Sequence, residues 1–205
     1  MKPQFVFSFL RIATSILFYL MVLITIAVFC VGALSFYEGN TGQMKAQFTQ
    51  EVMVSDEADE KPKRHYSEDG LAQLSAISNR YRLEFKPNSD LGYYFFGMNM
   101  LNLLLVMTIL WQFRRIFGEA NVVDPFKKSI FRRLVVLSIL FAASDLIRLI
   151  HYLVFGRLVH RHLSSPSFDL ITELGNGLIT GLIVYAIAVI YQRGIVFQEE
   201  NALTV

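Results

Sequence analysis

One cysteine in 205 residues, Cys30, excludes an internal disulfide and any metal centre built from several cysteines. Charge of one sign is also lacking. The formal net charge is only +2, so no global field draws the chain to a polyanion, and direct nucleic-acid binding is not expected. Catalytic signatures are absent: the sequence has no nucleophile elbow, HExxH, P-loop or GxGxxG, and no paired catalytic carboxylates. The expectation is a non-enzymatic protein with no cofactor and no metal. There is no internal repeat either, which removes the usual ground for an inverted-repeat transporter.

What the chain does have is grease. Hydrophobic residues make up 54% of it and the mean hydropathy is +0.43, too apolar for an ordinary soluble domain of this length. The apolar residues gather into four runs long enough to span a bilayer, at 12–37, 92–113, 134–155 and 170–191. Val31-Gly32-Ala33 would pass as a signal-peptidase site, but the run before it is longer than a signal peptide needs, so the first run reads as an uncleaved helix.

Between the first two runs, 38–91 turns polar. Met44, Ala46, Phe48, Val52 and Val54 alternate as in a half-buried strand, and Tyr81, Leu83 and Phe85 do so again. Leu71, Leu74 and Ile77 recur at helical spacing, while 55–70 is a charged linker. The expected fold class is thus an all-α membrane protein, a four-transmembrane-helix bundle with a small extracytoplasmic α+β cap between helices 1 and 2. The remaining segments are a 1–11 N-terminus, a basic loop at 114–133, a second outer loop at 156–169 and a tail at 192–205.

Orientation follows from the basic residues. The 114–133 loop carries Arg114, Arg115, Lys127, Lys128, Arg132 and Arg133 against Glu119 and Asp124, with Lys2 and Arg11 on the same side. The 38–91 segment has ten acids against seven bases. The positive-inside rule therefore puts both termini in the cytoplasm and the cap outside, in a bacterial cytoplasmic (inner) membrane.

The third run is interrupted by Asp145, Arg148 and His151, at i, i+3 and i+6. A charge at mid-bilayer depth must face protein or a water-filled cavity. One reading is a proton or ion relay in a small transporter or proton-linked permease. The other is a structural ion pair that orients helices, joined by Glu173 and Asn176. Asn99, Asn102, Ser138 and Ser144 could line the same polar seam, and Gly175, Gly177 and Gly181 give the fourth run a small-residue face for close packing. His160-Arg161-His162 reads as a solvated basic loop, because metals require more ligands than it offers. The six basic residues of the inner loop could contact an acidic partner or anionic lipid, or serve only to fix orientation.

Two stretches carry a family resemblance. One is Asp124-Pro125-Phe126 followed by Phe131-Arg132-Arg133-Leu134. The other is the terminal run AVIYQRGIVFQEENALTV at 188–205. Together they resemble the bacterial domain-of-unknown-function family DUF2975, four-span membrane proteins whose chains end in a similar FxxGxxLxxExxLTV pattern. The family usually shows an Asn a few residues after the Pro-Phe, where this chain has Lys127, Lys128 and Ser129. Its members are often encoded beside a small helix-turn-helix regulator. The resemblance thus implies a membrane protein that holds or releases such a cytoplasmic regulator. The tail, with Ile195, Val196, Phe197, Leu203 and Val205 among Glu199 and Glu200, could lie on the membrane or in a partner groove, or continue as helix packed under the bundle. The expected partners are the lipid bilayer, that regulator and a second copy in a homo-oligomer.

Overall fold

The computed structural model describes residues 3–41, 48–54, 64–66, 73–75, 80–120, 126–162, 168–170 and 174–203. Four helices dominate: α1 (Pro3–Thr41), α2 (Asp90–Glu119), α3 (Lys128–His162) and α4 (Asn176–Leu203). Each contains a stretch long and apolar enough to cross a membrane, so this is a multi-pass membrane protein. The five prolines explain where helix is allowed. They fall at 3, 62, 87, 125 and 166, each at or outside a helix end. Hydroxyls inside the helices are satisfied locally: Thr14, Thr25, Ser35 and Thr108 each donate to the carbonyl four residues back, at 2.7–2.9 Å.

Contacts pair residues that run in opposite directions along neighbouring helices. Phe36 stacks on Tyr93, and Arg114 reaches Tyr19, so α1 and α2 are antiparallel. Phe113 meets Phe141 while Tyr94 meets His151, which sets α2 against α3. Gly177 lies on Ser144 and Gly181 on Ser138, which sets α3 against α4. Among the described residues the helices pack as a row, α1 on α2, α2 on α3 and α3 on α4, with no other helix pair in more than marginal contact. The expected bundle is therefore open, and α1 and α4 each leave a broad apolar face uncovered by protein.

The end with the α1 C-terminus carries strands β1 (Phe48–Val54), β2 (Arg64–Tyr66), β3 (Gln73–Ser75), β4 (Arg80–Phe85) and β5 (Phe168–Leu170). One antiparallel sheet has the order β4-β1-β5, and β2 pairs with β3 in a second. In register, Phe48 faces Phe85 and Met53 faces Asp169, so the two loops at this end are joined through β1. Aromatic rings fasten this sheet to the helices: Phe48 packs on Phe36, Phe85 and Phe95, and Phe85 on Phe155 of α3. Beneath them Leu91, Phe155 and Val159 are buried, so α3 extends past the membrane run and supports the strands.

Several boundaries differ from expectation. α1 spans Pro3–Thr41, taking in most of the expected 1–11 N-terminus, and α3 runs on to His162, into the expected second outer loop. Residues 168–170 are strand, and α4 begins only at Asn176, because β1 offers an edge that β5 completes. α2 and α3 run on into the basic loop, which shrinks to a connector at 120–127. The tail continues α4 to Leu203. The helix expected around 71–77 is replaced at 73–75 by β3, since one short apolar stripe cannot offset helix nucleation while β2 supplies a partner. The rest of 71–77, and the linker outside 64–66, lie outside the described residues.

The β1–β5 register has a direct check. With Cys30 replaced by Ala, Met53→Cys and Asp169→Cys should close an intramolecular disulfide under mild oxidation, as facing residues in an antiparallel pair allow. Thr49→Cys with Asp169→Cys should not. Equal crosslinking in both pairs, or none in either, would rule the register out.

Candidate functional site

Position along α3 sets the depth of the polar residues. Asp145 lies twelve residues beyond Arg133, the last basic residue before the apolar run, or about 18 Å at 1.5 Å per residue, and a hydrocarbon core is about 30 Å thick. With the basic end at one membrane surface, Asp145 and Arg148 therefore fall in the half of the span nearer the strands.

Asp145 is buried, and its carboxylate is turned onto α4. The backbone N–H groups of Gly175 and Leu178 donate to Oδ2 at 3.0 and 2.8 Å. These are donors at the start of α4, where a helix has no acceptors of its own and its dipole favours an anion. A side chain of α3 thus performs the capping that a Ser or Asp just before α4 would normally supply. Arg148 lies on the other side, its guanidinium 3.7 Å from Oδ1 and about half exposed.

Small residues make that cap reachable. Gly175 has φ +101°, a left-handed turn that an L side chain would strain, and it swings the chain from β5 into the helix. A Cβ on Gly177 would strike Ser144 Oγ and come within 2.6 Å of the Phe141 carbonyl. One on Gly181 would come within 2.7 Å of the Ser138 carbonyl. The expected small-residue face is therefore the α3–α4 seam.

The sequence-level cluster divides. Asp145 and Arg148 stay together, with Asn176 one residue past Gly175. His151 faces α2 instead, its ring stacked on Tyr94 at 5.7 Å and tilted against Phe155 at 5.3 Å, with Nδ1 buried and unpaired. Glu173 lies outside the described residues. Nor is there one polar seam: Asn99 and Asn102 line an apolar cavity between α1 and α2, whereas Ser138 and Ser144 donate to their own helix carbonyls at 2.7 Å.

A second constellation occupies the basic end, and its centre is not a basic residue. Glu119 accepts from Arg133 Nη2 at 2.7 Å, and Arg133 Nη1 donates to Gln112 Oε1 at 3.5 Å. Lys127 Nζ donates to the Glu119 carbonyl at 3.2 Å, and the Lys127 backbone N–H donates to the Tyr191 hydroxyl at 2.9 Å. The Phe126 ring packs on Tyr191 and lies over Gly194. The α2–α3 connector is thereby tied to α4. Arg114 donates to the Tyr19 hydroxyl at 3.2 Å and lies over the Phe18 and Tyr19 rings, while Arg115 lies over Trp111. Of the six basic residues, Lys128 and Arg132 are the exposed ones with no such tie. Asp124, Pro125, Lys2 and the side chains of His160 and His162 lie outside the description.

Sequence reasoning missed Tyr191, Gln112 and the pairing of Glu119. Tyr191 stood in plain view inside the terminal run, and Glu119 stood out only as the first acid after two arginines. Neither signals a partner without the fold.

A family model described as a protein of unknown function (DUF2975) matches residues 72–205, the stretch that contains α2, α3 and α4. No curated protein and no solved structure matches the chain.

Loss of the cap should register as loss of stability. Asp145→Ala orphans two helix N–H groups and is expected to cost about 2–4 kcal/mol, read as a lower melting temperature in detergent. Asp145→Asn keeps an acceptor oxygen and should fall between this variant and the parent. An Asp145→Ala protein that melts with the parent would show that the cap contributes nothing.

Proposed function

The chain belongs to the DUF2975 family, and we propose that it is a non-enzymatic membrane module that engages a small cytoplasmic helix-turn-helix regulator at its basic end. In this reading the membrane is the bacterial inner membrane, the basic end and both termini face the cytoplasm, and the strands form an outer cap. The distribution of Lys and Arg supports that orientation.

The observation that carries the reading is what the basic end leaves uncommitted. Four of its six cations are held against the Glu119 side chain or carbonyl or over aromatic rings, and Lys128 and Arg132 are exposed at the start of α3. At the same end α4 continues to Leu203 and exposes Val196 and Phe197 beside Glu199 and Glu200. A helix with apolar and charged side chains in that mixture suits a protein groove, and the nearby cations would steer an acidic partner surface. A homo-oligomer is compatible with the open row of helices.

A relay for transport finds less support. Asp145 would have to release and regain protons, yet its carboxylate holds two backbone donors of α4, and His151 faces a different helix.

Affinity purification from the native host in mild detergent, followed by mass spectrometry, tests the proposal. The parent chain should recover a stoichiometric helix-turn-helix protein. Lys128→Glu with Arg132→Glu should lose it, while membrane insertion and the gel-filtration profile stay unchanged. Undiminished recovery with the double variant, or no such protein with the parent, would refute this role.

A further inference from the structure

A cavity of about 420 Å³ opens between α1 and α2 at the basic end. Arg11 and Ser15 line it from α1, and Trp111, Arg114, Arg115 and Glu119 from α2. Three guanidiniums share one recess, and among the described residues none of the three has a carboxylate within 4 Å. Glu119, the one carboxylate in the lining, makes its ion pair with Arg133 outside the trio and is only a longer-range neighbour of Arg115.

We propose that this recess binds a phosphate group: the headgroup phosphate of an anionic phospholipid, or the free ion. Two of its cations are already positioned. Arg114 is pinned by the Tyr19 hydroxyl and lies 5.0 Å from the Tyr19 ring centre, and Arg115 lies 5.4 Å from that of Trp111. Side chains held in advance lose little freedom when an anion arrives, and arginine presents forked donors that match phosphate oxygens. Uncompensated arginines in a recess also gain more from an anion than scattered surface lysines do, since the cavity walls limit screening.

Placement favours the lipid as source. The recess lies where two membrane-crossing helices end, with an amphipathic tryptophan in its wall. Ile12 and Ile16, each one residue on from Arg11 and Ser15, are about 60% exposed and offer an apolar track for an acyl chain. A lipid seated there would bridge α1 to α2, the helix that α1 packs on in the row.

The test uses the full chain, purified in a neutral detergent and stripped of lipid. Native mass spectrometry follows adducts with dioctanoyl phosphatidylglycerol, dioctanoyl phosphatidylcholine and inorganic phosphate. The phosphatidylglycerol adduct should form at about tenfold lower concentration than the phosphatidylcholine one. Arg11→Gln and Arg115→Gln should each weaken it several-fold. Arg193→Gln, which removes an exposed charge at the same end but outside the recess, should not. Adducts from inorganic phosphate alone, lost in the same two variants, would assign the site to the free ion; their absence beside a lipid adduct assigns it to the headgroup. Equal loss in all three variants means diffuse attraction, and no loss in any means no site. Either result overturns the proposal.

Discussion

A carboxylate on one helix holding the first amides of the next is the interaction on which this molecule's arrangement rests. Asp145 reaches from α3 to Gly175 and Leu178, and its position sets where α4 begins. Ahead of that point the chain is released to form β5, and β5 completes the sheet that β1 and β4 start. A charge inside a membrane-crossing helix is tolerable here because it is hydrogen-bonded, dipole-matched and beside Arg148. The glycines of α4 are the other half of the same constraint, since a side chain at Gly177 would hold the amides away from the carboxylate.

From that joint the architecture divides into two ends with different chemistry. One end is aromatic: Phe36, Phe48, Phe85, Phe95 and Phe155 join α1, the strands, α2 and α3 by ring contacts with little directional demand. The other is ionic: Glu119, Arg133, Lys127 and Tyr191 lock the turn between α2 and α3 onto α4. The row of helices between them is held by apolar contact and leaves α1 and α4 open on their outer sides. What the ionic end leaves exposed is a small set of cations and the apolar side chains Val196 and Phe197 of α4.

The four apolar runs and the family were legible in the sequence because membrane length and hydropathy are local properties, and the DPF turn and terminal pattern are local words. The small-residue face on α4 was legible too, since i and i+4 positions share a helix side. The partner of Asp145 was not, because it lies thirty residues further along the chain, at the first amides of α4. Pairings across the chain were also hidden. Nothing local says that Phe168–Leu170 will join β1 rather than begin a helix, or that Glu119 will take Arg133 out of a basic patch. Asp145, Arg148 and His151 looked like one cluster because helical spacing was measured along one helix. The neighbours, α4 for one and α2 for the other, drew them apart.

The most direct test of the joint is residue-resolved amide hydrogen exchange at the start of α4 in detergent micelles. First-turn amides of a helix lack intrahelical acceptors and ordinarily exchange fast. With Asp145 in place, Gly175 and Leu178 should instead exchange slowly, close to the rate of the helix interior. Fast exchange at Gly175 and Leu178, at the rate of an uncapped helix end, would contradict the account and leave the position of α4 without its cause.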